Sequence, residues 1–196
     1  MNLFFILSIP LSVIFINLIL NKIKVLQSLT GDNHQLFVDK SNIPLSGGLL
    51  ILIYSLFFFT SNFELLYFFL IFLIGVLSDT KILNSAKIRF FIQIIFILFL
   101  VVQFDLTSND IKVPFINFFL EIDIFVTNGS NFIDGLNGLV IGYYSIVLYI
   151  ILLLGFDKII VNLDLIILNY LIILFFLLIF NLSNKLYLGD SGSYLL

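Results

Sequence analysis

The stretch "NFIDGLNGLVIGYYSIVLYIILLLGF", Asn131 to Phe156, changes character at Leu139. Before that point one carboxylate, Asp134, stands among asparagines and glycines; beyond it, Leu139–Phe156 is a continuous apolar run without a charge. A run of this kind approaches the ~20 residues with which a helix crosses a ~30 Å hydrocarbon layer. The alternation of polar turn and apolar run recurs at Leu3–Leu20, Leu45–Thr60, Leu65–Leu77, Ile88–Phe104, Val113–Val126 and Leu163–Leu182. The pattern predicts an all-α fold, a polytopic membrane helical bundle of about seven spans plus the start of an eighth, in a single integral membrane domain over residues 1–196.

Composition demands the same solvent. With 61% hydrophobic, 17% aromatic and only 11% charged residues, the chain cannot cover a water-soluble globule with polar surface. The first run, Leu3–Leu20, has no basic segment before it and is followed by Lys22 and Lys24, the pattern of a retained span and not of a cleaved signal. Val113–Val126 carries Glu121 and Asp123, so it is also compatible with a re-entrant or interfacial stretch, since a charge in lipid is costly unless protein shields it. The net charge of −3 says little about partners, and no nucleic-acid partner is expected. There is no cysteine and one histidine, His34, which excludes disulfide frameworks and thiolate or multi-imidazole metal sites. Any metal must be held by oxygen.

The basic residues orient the bundle. Alternating the loops from an outside N-terminus puts Lys22, Lys24, Lys40, Lys81, Lys87, Arg89 and Lys185 on one side, with only Lys112 and Lys158 on the other, which makes the first side cytoplasmic. The inner loops are then Asn21–Ile43, Ser78–Lys87, Thr127–Gly138 and Ser183–Asp190, and all the unusual sequences lie at them.

Asp79, Asp134 and Asp190 each meet the membrane at a helix end on this face. Carboxylates gathered there repel one another and raise one another's pKa unless a cation neutralises them. With oxygen ligands only and a phosphate as co-ligand, Mg²⁺ is the expected ion and Mn²⁺ its substitute. The expected metal ligands are Asp190, Asp134 and Asp79. Gly135, Gly138, Gly189 and Gly192 flank two of these acids and allow close backbone approach, while Ser191 and Ser193 open the next helix, whose free N–H groups suit a phosphate oxygen.

The motifs "IPLSGG" at Ile43–Gly48, "GVLSD" at Gly75–Asp79, "NGSNFIDGLNGL" at Asn128–Leu139 and "GDSGS" at Gly189–Ser193 resemble, in order, the cytoplasmic motifs of the polyprenyl-phosphate N-acetylhexosamine-1-phosphate transferases. This superfamily contains the phospho-N-acetylmuramoyl-pentapeptide transferases and the enzymes that begin O-antigen and teichoic acid synthesis. The resemblance implies transfer of a sugar-1-phosphate from a UDP-N-acetylhexosamine to polyprenyl (undecaprenyl) phosphate, with release of UMP, at the cytoplasmic face of a bacterial inner membrane. It implies catalytic roles for Asp79 and Asp134, and substrate contacts from Asn128, Asn131, Asn137, Lys87, Ser191 and Ser193, with Arg89 and Lys185 adding positive field.

The chain departs from the family pattern in two places: Ser78–Asp79 stands where the family has an aspartate pair, and Asn137 replaces the second aspartate of a DGLDG pattern. It also stops shortly after entering an eighth apolar start, before the family's histidine-bearing loop, and so reads as the N-terminal portion of a longer transferase. Residues Ser191–Leu196 are accordingly expected to begin a membrane helix without its packing partners. Two other classes fit parts of the pattern. A non-catalytic remnant binding lipid phosphate or a partner fits Ser78. A transporter would place its acids near the bilayer midplane, whereas these lie at span ends.

Overall fold

The structure, a computed structural model, describes residues 3–27, 43–56, 62–107, 126–131, 134, 137–154 and 163–196. The expectations for His34, Lys40, Lys112, Lys158, Glu121 and Asp123 lie outside these residues, as does all of the Val113–Val126 run except its last residue. The helices are α1 (Leu3–Ile23), α2 (Gly47–Ser55), α3 (Asn62–Asp79), α4 (Ala86–Thr107), a helical turn α5 through 126–131, α6 (Leu139–Leu154), α7 (Leu163–Leu182) and α8 (Gly189–Ser193). Among the described residues there is no strand, only one isolated antiparallel bridge between Gln27 and Pro44. Helices are the expected answer for such runs, because a chain in hydrocarbon must satisfy its own backbone.

Six of the seven apolar runs coincide with described helices, α1 to α4, α6 and α7. Among the described residues two helices are long and apolar enough to cross a bilayer by themselves, Ile6–Ile23 within α1 and Asp164–Leu182 within α7; Leu65–Asp79 and Leu139–Leu154 are apolar but shorter. The surface agrees with a lipid environment. Phe4, Leu11 and Phe15 of α1, Leu153 and Leu154 of α6, and Phe175 and Ile179 of α7 are all exposed. So many exposed apolar side chains would aggregate in water but cost nothing against acyl chains. This is a membrane protein whose described secondary structure is helical.

The core joins Ile9 and Val13 of α1, Leu50, Ile51 and Tyr54 of α2, Ile71 and Ile74 of α3, and Ile173, Leu174 and Leu177 of α7. One end of it is organised by a short backbone zipper. The amide of Tyr187 donates to the Pro44 carbonyl at 2.9 Å, and those of Gly47 and Gly48 donate to the Tyr187 and Leu188 carbonyls at 3.1 and 3.3 Å. Asn17 ties α1 to the same place, donating to the Lys185 carbonyl at 2.9 Å and accepting from the Ser46 hydroxyl at 2.6 Å. The "IPLSGG" motif is thus the cradle of the segment that leads into α8.

That segment overturns one expectation. Ser191–Leu196 does not lack partners: Ser191, Ser193, Tyr194 and Leu195 are all buried, and α8 packs against α2 and α3. The packing depends on Gly75. A Cβ there would lie 2.2 Å from the Ser191 Cα, so α3 and α8 touch backbone to backbone.

Candidate active site

The site begins where α3 ends. The amides of Ile82 and Leu83 both donate to the Leu77 carbonyl at 2.9 Å, and Lys81 takes a left-handed conformation with φ of 61°, which stops the helix just after Asp79. The Asp79 carboxylate then reaches α8: the Asp190 amide donates to its Oδ1 at 2.8 Å and the Ser191 amide to its Oδ2 at 3.1 Å. Gly189 makes the approach possible, with φ of +70° and a position where a Cβ would lie 2.8 Å from Asp79 Oδ2. Burial pushes the Asp79 carboxyl up to about 6, with the neighbouring Asp190 adding to the rise and the hydrogen bonds from Ser191 and Asp190 opposing it.

The side chain of Asp190 is held from the other direction. Arg89, the fourth residue of α4, donates from Nη1 both to Asp190 Oδ2 and to Ser78 Oγ, and the Ser78 hydroxyl donates to the same Asp190 oxygen. Arg89 is thus the matching cation of Asp190. The free N–H groups expected at the start of α8 are also accounted for, since those of Asp190 and Ser191 are taken by Asp79.

Asp134 is arranged differently. Its amide donates to the Ser130 carbonyl at 3.0 Å, prolonging α5, but its carboxylate has no hydrogen-bond partner among the described residues. Burial pushes its carboxyl well above the ordinary carboxylate value, and Asp190 and then Asp79 push it further, so the three acids are electrostatic neighbours. Among the described residues no three such groups surround one point as a ready ligand set. The donor set nevertheless suits a hard cation: oxygen only, with one open, partly buried carboxylate backed by two more and a single arginine.

The asparagines fix the surroundings of Asp134. Asn131 donates to the Tyr194 hydroxyl at 3.2 Å and accepts from Ser193 Oγ at 3.4 Å, which locks α5 to the segment after α8. Asn128 donates to Gln93 Oε1 at 3.0 Å, which locks α5 to α4. Asn137, exposed, donates to Asn184 Oδ1 at 2.6 Å. Of the expected site residues, the structure therefore brings together Asp79, Asp134, Asp190, Asn131, Ser191 and Ser193. Lys87 is exposed on the first turn of α4 and Asn137 sits at the rim.

Sequence reasoning missed Gln93 and undervalued Ser78. Gln93 is fully buried, and its Nε2 has no hydrogen-bond partner among the described residues. An amide inside an apolar run was the available signal, because such a residue is expensive in a membrane helix unless it has a task.

With this geometry established, comparison with known proteins places the chain. The profile of glycosyl transferase family 4 matches residues 63–196, more than half of the chain, and the protein belongs to that family. The match begins in α3 and takes in every residue of the acidic site. The general class of activity is polyprenyl-phosphate sugar-1-phosphate transfer, and the protein is a transferase of the membrane. No curated protein matches the chain significantly.

Proposed function

We propose that the protein transfers an N-acetylhexosamine-1-phosphate from a UDP-sugar to polyprenyl phosphate at the cytoplasmic face of a bacterial inner membrane, releasing UMP, in cell-wall or surface-polysaccharide synthesis. The observation that carries this is Asp134: a partly buried carboxylate without a hydrogen-bond partner among the described residues, beside two others, at the polar end of apolar helices, inside the family match. One substrate is a soluble anion and the other an anionic headgroup on a membrane chain, so the site of their meeting belongs at such an interface.

In the reaction an oxygen of the lipid phosphate forms a bond to the β-phosphorus, and the bond from that phosphorus to the bridging oxygen breaks, so that UMP leaves with the bond's electron pair. Asp134, with its raised proton affinity, is suited to take the proton of the lipid phosphate at a carboxylate oxygen. Asp79 and Asp190 hold α3 and α8 in register behind it, and Asn131 orients α5 so that Asp134 faces the pair. Mg²⁺, or Mn²⁺ in its place, would be held by Asp134 with Asp79 and Asp190 behind, and supplies charge neutralisation of the crowded phosphates and of the leaving group.

A second reading, lipid-phosphate binding without turnover, is favoured by the engagement of Asp190 with Arg89 and of Asp79 with the α8 amides. Transfer of radiolabelled sugar phosphate from a panel of UDP-sugars to polyprenyl phosphate, in membranes containing the chain, decides between them. Label in the lipid fraction, dependent on Asp134, supports the enzyme; binding of the lipid without label transfer supports the second reading.

A further inference from the structure

We propose that Gln93 is a positioning residue for Asp134: through Asn128 it sets the angle at which the helical turn α5 holds that carboxylate. The inference rests on the proposed transferase reading for what Asp134 does, but its grounds lie in α4. Phe90, Phe91, Ile95 and Leu98 of that helix are exposed, and among its residues whose side chains are described Gln93 alone is buried. The one such residue that α4 buries is thus an amide. In lipid no hydrophobic force drives helix against helix, so close packing and side-chain hydrogen bonds decide how α4 meets its neighbours.

The amide is engaged at one end. Its Oε1 accepts from Asn128 Nδ2 at 3.0 Å, whereas its Nε2 is enclosed without a hydrogen-bond partner among the described residues. A buried donor left unpaired costs free energy, so an apolar side chain would serve stability better at this position. What the amide contributes is direction, as a single buried polar residue fixes register between helices at a cost in stability. The route to Asp134 is short. Asn128 belongs to α5, and the Ser130 carbonyl of the same turn accepts from the Asp134 amide at 3.0 Å. The turn is pinned on its other sides by Ser130 to the Tyr144 hydroxyl of α6 and by Asn131 to Tyr194 beyond α8. Arg89, which holds Asp190, lies one turn before Gln93 on the same face of α4, ~6 Å along the axis. One helix face therefore spaces Asp190 from Asp134.

The test uses the purified full chain in detergent, with polyprenyl phosphate and a panel of UDP-N-acetylhexosamines, and adds a readout that needs no activity. The chain has no cysteine, so Asp134→Cys reports its own position through its rate of reaction with a charged methanethiosulfonate. Gln93→Met, which keeps the length and removes the acceptor, should lower kcat at least roughly tenfold, with KM for the UDP-sugar within about twofold and the melting temperature within about 3 °C of the parent. Combined with Asp134→Cys, it should change the labelling rate at least roughly threefold, while labelling of Ser183→Cys, exposed just past α7, stays the same. The exchange of Gln93→Asn with Asn128→Gln, which restores the bond with its length redistributed, should recover most of both effects. If Gln93→Met fails to fold, Asn128→Ala breaks the same bond from the other end and carries the test. Unaltered labelling at position 134 overturns the proposal, as does an unaltered kcat in an active parent or a kcat loss that only follows the melting temperature. Altered labelling in a chain that transfers sugar phosphate from no donor leaves this inference standing and overturns the transferase reading; transfer with unaltered labelling does the reverse.

Discussion

The junction of α3 with α8 and the loop around Asp134 are both acidic, both glycine-bearing and both close to the same charges, yet they are built to opposite ends. At the junction each carboxylate is engaged: Asp79 by two amides, Asp190 by Arg89 and Ser78. In the Asp134 loop the neighbours of the carboxylate are engaged, Asn131 with Tyr194 and Asn137 with Asn184, while Asp134 itself has no hydrogen-bond partner among the described residues. A paired acid holds structure together; an acid kept unpaired by a well-fixed surrounding is available for chemistry. The difference teaches that proximity to a cluster of charge does not assign a role.

The comparison breaks most completely if α8 can be displaced without loss. Gly75→Val inserts a side chain where even a Cβ would lie 2.2 Å from Ser191 Cα, and it should destabilise the fold by about 3 kcal/mol or more. Membrane yield and melting temperature should both fall. A variant that melts like the parent would mean that α3 and α8 do not pack as described.

Asp134→Asn should lower turnover roughly a hundredfold or more, the scale of one general base or electrostatic group, with the melting temperature nearly unchanged. Transfer rate measured against the amount of folded protein in the same membranes separates the two effects. Unchanged turnover would remove Asp134 from the mechanism.

Asp79→Asn sharpens the contrast from the other side. The amide cannot accept both N–H groups of α8 with its two terminal atoms, so the variant should lose about 1–3 kcal/mol of stability. Activity and melting temperature should fall together, unlike in Asp134→Asn. Loss of activity at full stability would give Asp79 a direct chemical task.

The smallest effect is expected at the rim, where Asn137→Ala removes an exposed side-chain hydrogen bond to Asn184 and should change stability by less than about 0.5 kcal/mol. A clear drop in melting temperature would make this rim contact part of the fold's support.

Much of the helix plan could be read directly. Leu163–Leu182 is α7 residue for residue, and Leu139 opens both the apolar run and α6. The three acids were likewise recognisable as one group, because each stands where an apolar run meets a polar turn. The role of "IPLSGG" was not visible, since its carbonyls and amides meet residues near 187 that no local pattern connects to it. Nor was the fate of Ser191–Leu196, whose apolar character predicts a membrane helix equally well whether or not α2 and α3 receive it.

Solvent, helix positions and the end of the molecule that carries charge follow from the sequence alone, because the length of an apolar run and the polarity of its flanks are local quantities that a bilayer reads directly. Which acids are paired, and which has no hydrogen-bond partner among the described residues, was decided only by the tertiary structure. Asp79 meets the Asp190 amide across 111 residues and Arg89 meets Asp190 across 101, separations over which partners are chosen by the packing of Gly75 against Ser191 and not by any spacing in the chain. The physical reason is range: burial in lipid is settled residue by residue, whereas a hydrogen bond or an ion pair exists only when packing brings two particular atoms to within about 3 Å.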